Sequence, residues 1–154
     1  RQHLVDKRTY FEKLKELVAK EEWDEFVMKL FGDIPHITDD DCILVCDMIV
    51  EEKKFSCLMK ILLDNVMSFS RVQLFKKYAP YMSEEDQATY TNHVIEELRM
   101  HLSYAKSKSY GYIVDDIKGM YTCCEVSKKL ILDFVEEVEC KYGNRPALMR
   151  LLRN

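Results

Sequence analysis

Apolar residues recur at intervals of three and four along most of the chain. Near its beginning, this period relates Phe11, Leu14 and Val18. It predicts a helix with one apolar face from about Val5 to Lys20. The same period continues to the carboxyl end, and no segment shows the strict alternation that is typical of a half-buried strand. Only four Gly and three Pro interrupt the pattern, so we predict an all-α chain of about nine or ten helices.

Two short sequences mark the beginnings of helices. Thr38 precedes three aspartates, and Ser83 precedes two glutamates and an aspartate. A hydroxyl in this position accepts a hydrogen bond from a free backbone N–H, and the carboxylates meet the positive end of the helix dipole. We therefore predict helices that begin at both caps. The pattern also predicts a helix from about Phe55 to Met67 and a polar loop at Lys106–Gly111.

The composition is that of a folded domain. The 154 residues are 47% apolar and 32% charged, so the chain can form a core. A formal net charge of −4 gives no overall electrostatic reason for nucleic-acid binding. No apolar run is long enough to cross a bilayer, so we expect no membrane partner. Because the chain also lacks an initiating Met and a signal peptide, we expect a piece of a longer intracellular protein, cytoplasmic or in ribonucleoprotein granules.

The cysteines are better explained by packing than by cross-linking. An even number of cysteines is compatible with disulfides in a small secreted domain. Here most of them lie within helical apolar patterns, and the chain has no Asn-x-Ser/Thr glycosylation sequence. We therefore expect buried free thiols in a reducing compartment. The six residues are Cys42, Cys46, Cys57, Cys123, Cys124 and Cys140.

No group of residues predicts catalysis or a bound cofactor. Cys42 and Cys46 lie four apart, a spacing that allows both to face one metal ion, but no C-x-x-C sequence accompanies them. The adjacent pair Cys123-Cys124 has the sequence of a redox pair, yet it more often marks the start of a helix. His93 and His101 have no cysteine beside them, and the glycines are isolated. We predict a non-enzymatic fragment with no metal and no cofactor.

The chain contains an internal repeat. The sequence of Ile61–Val66 aligns with that of Leu130–Val135 at an offset of 69 residues. A duplication predicts two small helical bundles in tandem, at residues 1–80 and 81–154. The short connection between them predicts that the bundles pack together. The alternative is a single bundle of nine helices in which leucines align by their ordinary spacing.

Three motifs accompany the repeat. Ile37–Asp41 looks like a Leu-Thr-acidic-acidic start of a third helix, while Phe55–Val66 and, more closely, Val126–Val135 look like a K-x-x-x-L-L-D-x-V fourth helix. Val72–Tyr78 and Pro146–Leu152 are similar to an F-x-x-L-L-x-A-L final helix. Together these motifs resemble the death fold and, within it, the caspase recruitment domain. The first helices of both copies depart from that family's pattern.

The resemblance implies recruitment of a protein partner. Two such domains in tandem are similar to the amino-terminal region of RNA-sensing helicases of the retinoic-acid-inducible class, or of Dicer-related helicases. This implies a regulatory module in innate immunity or RNA silencing. Death-fold modules associate through complementary charged surfaces. The resemblance therefore nominates an acidic group and several basic residues as partner-binding sites. The alternative is that these charges belong to an ordinary solvated surface. The nominated residues are Asp39, Asp40, Asp41, Lys76, Lys77, Lys128, Lys129 and Arg150.

Aromatic residues on the surface would be stronger anchors than single charges. We nominate Trp23, Phe69, Tyr110 and Tyr112, although Trp23 fits the core better. Two other functions stay open. One is a helical scaffold or a Bcl-2-like adaptor with a hydrophobic groove for a partner helix. The other is an RNA-contacting helical domain that uses the basic carboxyl-terminal part.

Overall fold

A computed structural model describes the backbone of residues 2–154 and the side chains of residues 7–154. Within that backbone the chain forms nine α-helices and no strand, which confirms the predicted all-α class. Short 3-10 turns at Phe55–Cys57, Ala79–Tyr81 and Ser107–Ser109 lie between some of them. The helices are α1 (Gln2–Leu17), α2 (Trp23–Gly32), α3 (Asp39–Glu51), α4 (Leu58–Asp64), α5 (Arg71–Tyr78), α6 (Glu84–Tyr104), α7 (Tyr110–Tyr121), α8 (Glu125–Tyr142) and α9 (Pro146–Arg153).

The chain divides into two compact units. Unit 1 is Arg1–Ser68 and contains α1 to α4; unit 2 is Phe69–Asn154 and contains α5 to α9. The division therefore falls after Ser68, whereas the predicted boundary followed residue 80. As a result α5, which the repeat assigned to the end of the first bundle, belongs to the second unit.

Both predicted helix caps are confirmed. The Thr38 hydroxyl accepts a hydrogen bond from the Asp41 backbone N–H at 3.3 Å. The Ser83 hydroxyl accepts one from the Asp86 N–H at 3.1 Å. Each cap satisfies one of the backbone donors that a helix leaves free in its first turn.

Two predicted boundaries were wrong. The predicted helix over residues 55–67 begins as a 3-10 turn, and its α-helical part ends at Asp64. Lys53 lies just before it with a φ of 58°, a left-handed backbone conformation. The predicted loop at residues 106–111 is a 3-10 turn that leads directly into α7 at Tyr110. The buried Tyr110 ring anchors this polar segment, and a single apolar residue produces no periodic signal.

Unit 1 has an aromatic core that joins α1 and α2. The Phe11 ring lies 5.6 Å from that of Trp23 and 5.9 Å from that of Phe31. Trp23 is buried, as predicted. Its indole N–H donates to the Glu52 carboxylate, which also accepts a 2.7 Å hydrogen bond from Lys15. This network fastens α1 and α2 to the end of α3.

Glu52 keeps its charge in this network. Its side chain is only 8% exposed, and burial by itself would raise the pKa of the carboxyl. The hydrogen bonds from Lys15 and Trp23 outweigh that effect and lower the pKa of Glu52 below its ordinary value of 4.5. The bond to Glu52 also raises the pKa of Lys15.

Unit 2 is held together by two ion pairs between helices. The Arg71 guanidinium on α5 donates two hydrogen bonds to Asp116 on α7, at 3.2 and 2.8 Å. The Arg99 guanidinium on α6 donates two to Glu137 on α8, at 2.7 and 2.8 Å. The pairing lowers the pKa of Glu137 and raises that of Arg99. In the Arg99 pair each guanidinium nitrogen meets a different carboxylate oxygen, a planar arrangement that fixes the relative orientation of the two side chains. Both Arg71 nitrogens meet the same Asp116 oxygen.

Helix α5 also approaches α7 closely. At Gly119 of α7, an added Cβ would lie 2.7 Å from a methyl carbon of Val72. Glycine is therefore the residue that permits this packing, and α5 is an integral part of unit 2.

Candidate functional site

The three nominated aspartates of α3 have different environments. The Asp39 carboxylate accepts hydrogen bonds from the Ser68 hydroxyl at 2.9 and 2.8 Å. Asp41 is buried and forms a 2.7 Å ion pair with Lys7. It therefore belongs to the packing between α1 and α3 and not to an exposed acidic face. Asp40 is exposed, and the described side chains provide it with no hydrogen bond or ion pair.

The nominated basic residues all lie in unit 2, and two of them meet at the end of α7. The Lys76 ammonium lies 3.4 Å from the Thr122 hydroxyl. The Lys128 ammonium lies 5.2 Å from the centre of the Tyr121 ring and 3.9 Å from a Glu125 carboxylate oxygen. Cations are stabilised at this position, because the carboxyl end of a helix carries partial negative charge.

The other three nominated cations are exposed. The Lys77 ammonium lies 5.5 Å from the centre of the neighbouring Tyr78 ring. Lys129 on α8 and Arg150 on α9 form no hydrogen bond or ion pair with any described side chain. Lys129 and Arg150 are therefore available to an external acidic group.

A groove lies between α7, α8 and α9, beside the Lys128 and Tyr121 contact. Its volume is about 250 Å³. Ile117 and Ile131 form a closed apolar floor, since they are 2% and 1% exposed. Partly exposed apolar side chains complete the walls, with Lys118 and Thr122 at the edge. The apolar wall residues are Tyr121, Val135 and Leu152.

The groove has cations beside Tyr121. The Lys128 ammonium lies against the Tyr121 ring, and Lys118 lies at the edge of the groove. The Glu139 carboxylate, which is outside the groove lining, lies 3.6 Å from the Arg153 guanidinium.

The nominated aromatic anchors were only partly well chosen. Phe69 and Tyr112 are exposed, but Tyr110 is buried and was wrongly nominated. Tyr121, which is 36% exposed at the groove, was not nominated from the sequence. Its position seven residues before Lys128 gave no sign that this lysine packs on its ring, because α7 ends at Tyr121 and α8 begins at Glu125.

A polar group on α6 and α7 was also missed. A Glu97 carboxylate oxygen lies 3.1 Å from His101 Nε2, and His101 Nδ1 lies 3.3 Å from the Tyr112 hydroxyl. The imidazole therefore lies between a carboxylate and a phenol. The spacing of four between Glu97 and His101 was the available signal.

The cysteines are free thiols in three environments. Cys42 and Cys46 are fully buried with their sulfurs 4.0 Å apart, and Cys57 is also buried. Cys123 and Cys124 are half-buried, and burial raises the pKa of Cys123 to about 12. A thiol with so high a pKa is a poor nucleophile at neutral pH. Cys140 is exposed, contrary to the expectation of buried thiols.

Within residues 7–154, no three His, Cys, Asp or Glu side chains are grouped as metal ligands. Unit 1 has two further depressions, of about 700 Å³ along Lys15–Asp24 and about 270 Å³ around His36–Asp39 and Asp64–Ser68. None of the described helices has both the length and the apolar character needed to cross a bilayer.

No protein-family model, curated protein or solved structure matches the chain.

Proposed function

We propose that this chain is a non-enzymatic protein-interaction module that recruits a partner through preformed charged helical surfaces. The observation that carries the proposal is the unequal charge of its units. Unit 1 has 10 Lys and Arg against 15 Asp and Glu, a formal net charge of −5. Unit 2 has 13 against 12, a net charge of +1, with Lys129 and Arg150 exposed and unpaired among the described residues.

Such an arrangement favours a protein partner over a nucleic acid. Binding of a phosphate backbone requires a continuous basic surface. In unit 2 the cations alternate with carboxylates and adjoin an apolar groove. Complementary charge steers a protein partner to the surface and selects its orientation, while buried apolar contacts supply affinity.

We further propose that the module is related to tandem caspase recruitment domains and regulates a larger protein, such as an RNA helicase of RNA sensing or RNA silencing. The capped start of α3 supports this relationship. The placement of α5 in unit 2 differs from the predicted first copy at residues 1–80. The aligned residues also differ, because residues 130–135 lie within α8 whereas residues 61–66 extend past the end of α4. Family membership therefore stays a prediction.

The proposal is tested by affinity capture from an extract of the source organism. The baits are the natural chain, the double variant Lys129→Glu/Arg150→Glu and Asp40→Lys. The matched controls are Lys108→Glu in unit 2 and Glu21→Lys in unit 1, which are exposed and unpaired among the described residues. We expect a partner that survives nuclease treatment, is retained by both controls and is lost with at least one reversal.

Two results would contradict the proposal. One is capture of the same proteins by every bait. The other is loss of all bound proteins after nuclease treatment, together with a mobility shift of RNA that depends steeply on salt. The second result would establish an RNA-contacting domain.

A further inference from the structure

We infer that the groove between α7, α8 and α9 binds an amphipathic helix of a protein partner, with acidic residues at the end of that helix that lies over Tyr121. This inference rests on the proposed function and assigns it a site. The occupant is identified by the size of the groove, its apolar floor and the cations beside Tyr121.

The size of the groove fits side chains of a protein better than a separate small molecule. Small-molecule sites have volumes of roughly 300–1,000 Å³ and bury most of the ligand. This groove has about 250 Å³ and is open along one side. One or two apolar side chains from successive turns of a helix would fill it, as in other helix-in-groove complexes.

The walls provide the features of an interface centre. Ile117 and Ile131 are closed to water, so the groove presents a completed floor and not a gap in the core. Tyr121 supplies an aromatic wall with a polar end, a residue type that concentrates binding energy. Val135 and Leu152 lie opposite as aliphatic walls on α8 and α9.

Charge selects the partner. Lys118 and Lys128 lie beside Tyr121, and the Lys76 ammonium reaches the neighbouring Thr122. The nearby Glu125 is 90% exposed and 3.9 Å from Lys128, so it compensates this charge weakly. An acidic residue of the bound helix is therefore favoured beside Tyr121.

The test uses a yeast-displayed library of amphipathic helices whose polar positions are randomised, with the whole chain as the soluble target. We expect enriched helices with apolar residues at spacings of three and four and with Asp or Glu concentrated at one end. Val135→Glu should weaken binding by about tenfold or more, and Tyr121→Ala by about tenfold. Lys128→Glu should weaken it less, and the effect of this substitution should diminish at high salt.

Two controls keep the test specific. Leu132→Glu places the same charge on α8, on an exposed residue that does not line the groove, and should leave binding unchanged. Tyr121→Ala tests the site without introducing a charge, so a folding defect of Val135→Glu does not decide the result. Circular dichroism and thermal unfolding establish that each variant is folded.

Several outcomes would overturn the inference. These are the absence of enriched helices, enrichment without acidic residues, and equal loss of binding with Leu132→Glu and Val135→Glu. Sedimentation that shows a dimer abolished by Val135→Glu would make a second copy of the chain the occupant instead. The affinity capture described above is independent, because its reversals at Asp40, Lys129 and Arg150 lie outside the groove lining.

Discussion

The two units use their charged residues differently. In unit 1, several cations link its own helices, as in the pairs of Lys7 with Asp41, Arg8 with Glu51 and Lys15 with Glu52. In unit 2, two arginine pairs join helices, and further cations are exposed beside an apolar groove. The comparison indicates that a larger share of the cations serves folding in unit 1, whereas more of those in unit 2 are free for recognition.

The largest expected effect concerns the buried arginine of unit 2. Arg71 is 6% exposed, and Arg71→Met leaves the Asp116 carboxylate without its partner. Removing one member of a buried pair costs about 3 kcal/mol. We therefore expect the free energy of unfolding of unit 2 to fall by this amount. Hydrogen exchange of the backbone amides of unit 2, recorded in urea, measures the change.

The double variant Arg71→Met/Asp116→Leu separates pairing from packing. Replacing both charges by apolar groups removes the unpaired carboxylate and should recover most of the loss. If Arg71→Met costs less than about 1 kcal/mol, the ion pair does not hold α5 in unit 2.

A smaller loss is expected at the close contact of α5 and α7. Gly119→Ala forces Val72 to move, because the added carbon would lie 2.7 Å from its methyl carbon. Overpacking costs about 1–3 kcal/mol, partly offset by the better helix propensity of Ala. We expect a net loss of about 1 kcal/mol in thermal unfolding.

Gly111→Ala on the same helix is the matched control, because nothing lies within 4 Å of its added carbon. It should be neutral or stabilising. Val72→Ala should reduce the penalty of Gly119→Ala, since the two substitutions act on one contact. Equal effects of both glycine substitutions would refute the packing argument.

The smallest stability effect is a pH dependence confined to unit 1. The folded state lowers the pKa of Glu52, so its contribution is complete above the ordinary value of 4.5 and is lost as the pH falls through the lower folded value. Glu52→Gln should cost about 1 kcal/mol at neutral pH and flatten this acid limb. The effect stays small because the Lys15 side chain is 50% exposed and water screens its charge.

Glu51→Gln is the neighbouring control, because Glu51 is an exposed partner of Arg8. It should change unit 1 by a few tenths of a kcal/mol at most. Unfolding curves recorded between pH 3 and pH 7 compare the two variants. An unchanged acid limb in Glu52→Gln would show that other carboxylates determine the pH dependence.

Local features of this fold were predictable from the sequence, whereas features that join distant segments were not. Thr38 and Ser83 cap helices through hydrogen bonds to backbone three residues away, so a short pattern contains the whole interaction. Trp23 was assigned to the core because its neighbours repeat with the helical period. The burial of Asp41 depends on Lys7, which lies 34 residues away, and no spacing indicates that pair.

The groove shows more clearly that contacts between distant segments are not predictable from the sequence. Its lining comes from three helices, and Ile117 and Leu152 lie 35 residues apart along the chain. The cations Lys76 and Lys128 were nominated from the sequence, but the Tyr121 ring and Thr122 hydroxyl that they contact were not. The charges could be found because they cluster along the chain, but the apolar surface beside them exists only after the helices have packed.

Hydrogen–deuterium exchange of the whole chain, with and without its captured partner, tests the central claim most directly. The account predicts that partner binding slows exchange at the end of α7, along the first half of α8 and in α9, and that Lys129→Glu/Arg150→Glu reduces this protection. Protection that is absent from these three helices while the partner is bound would contradict it.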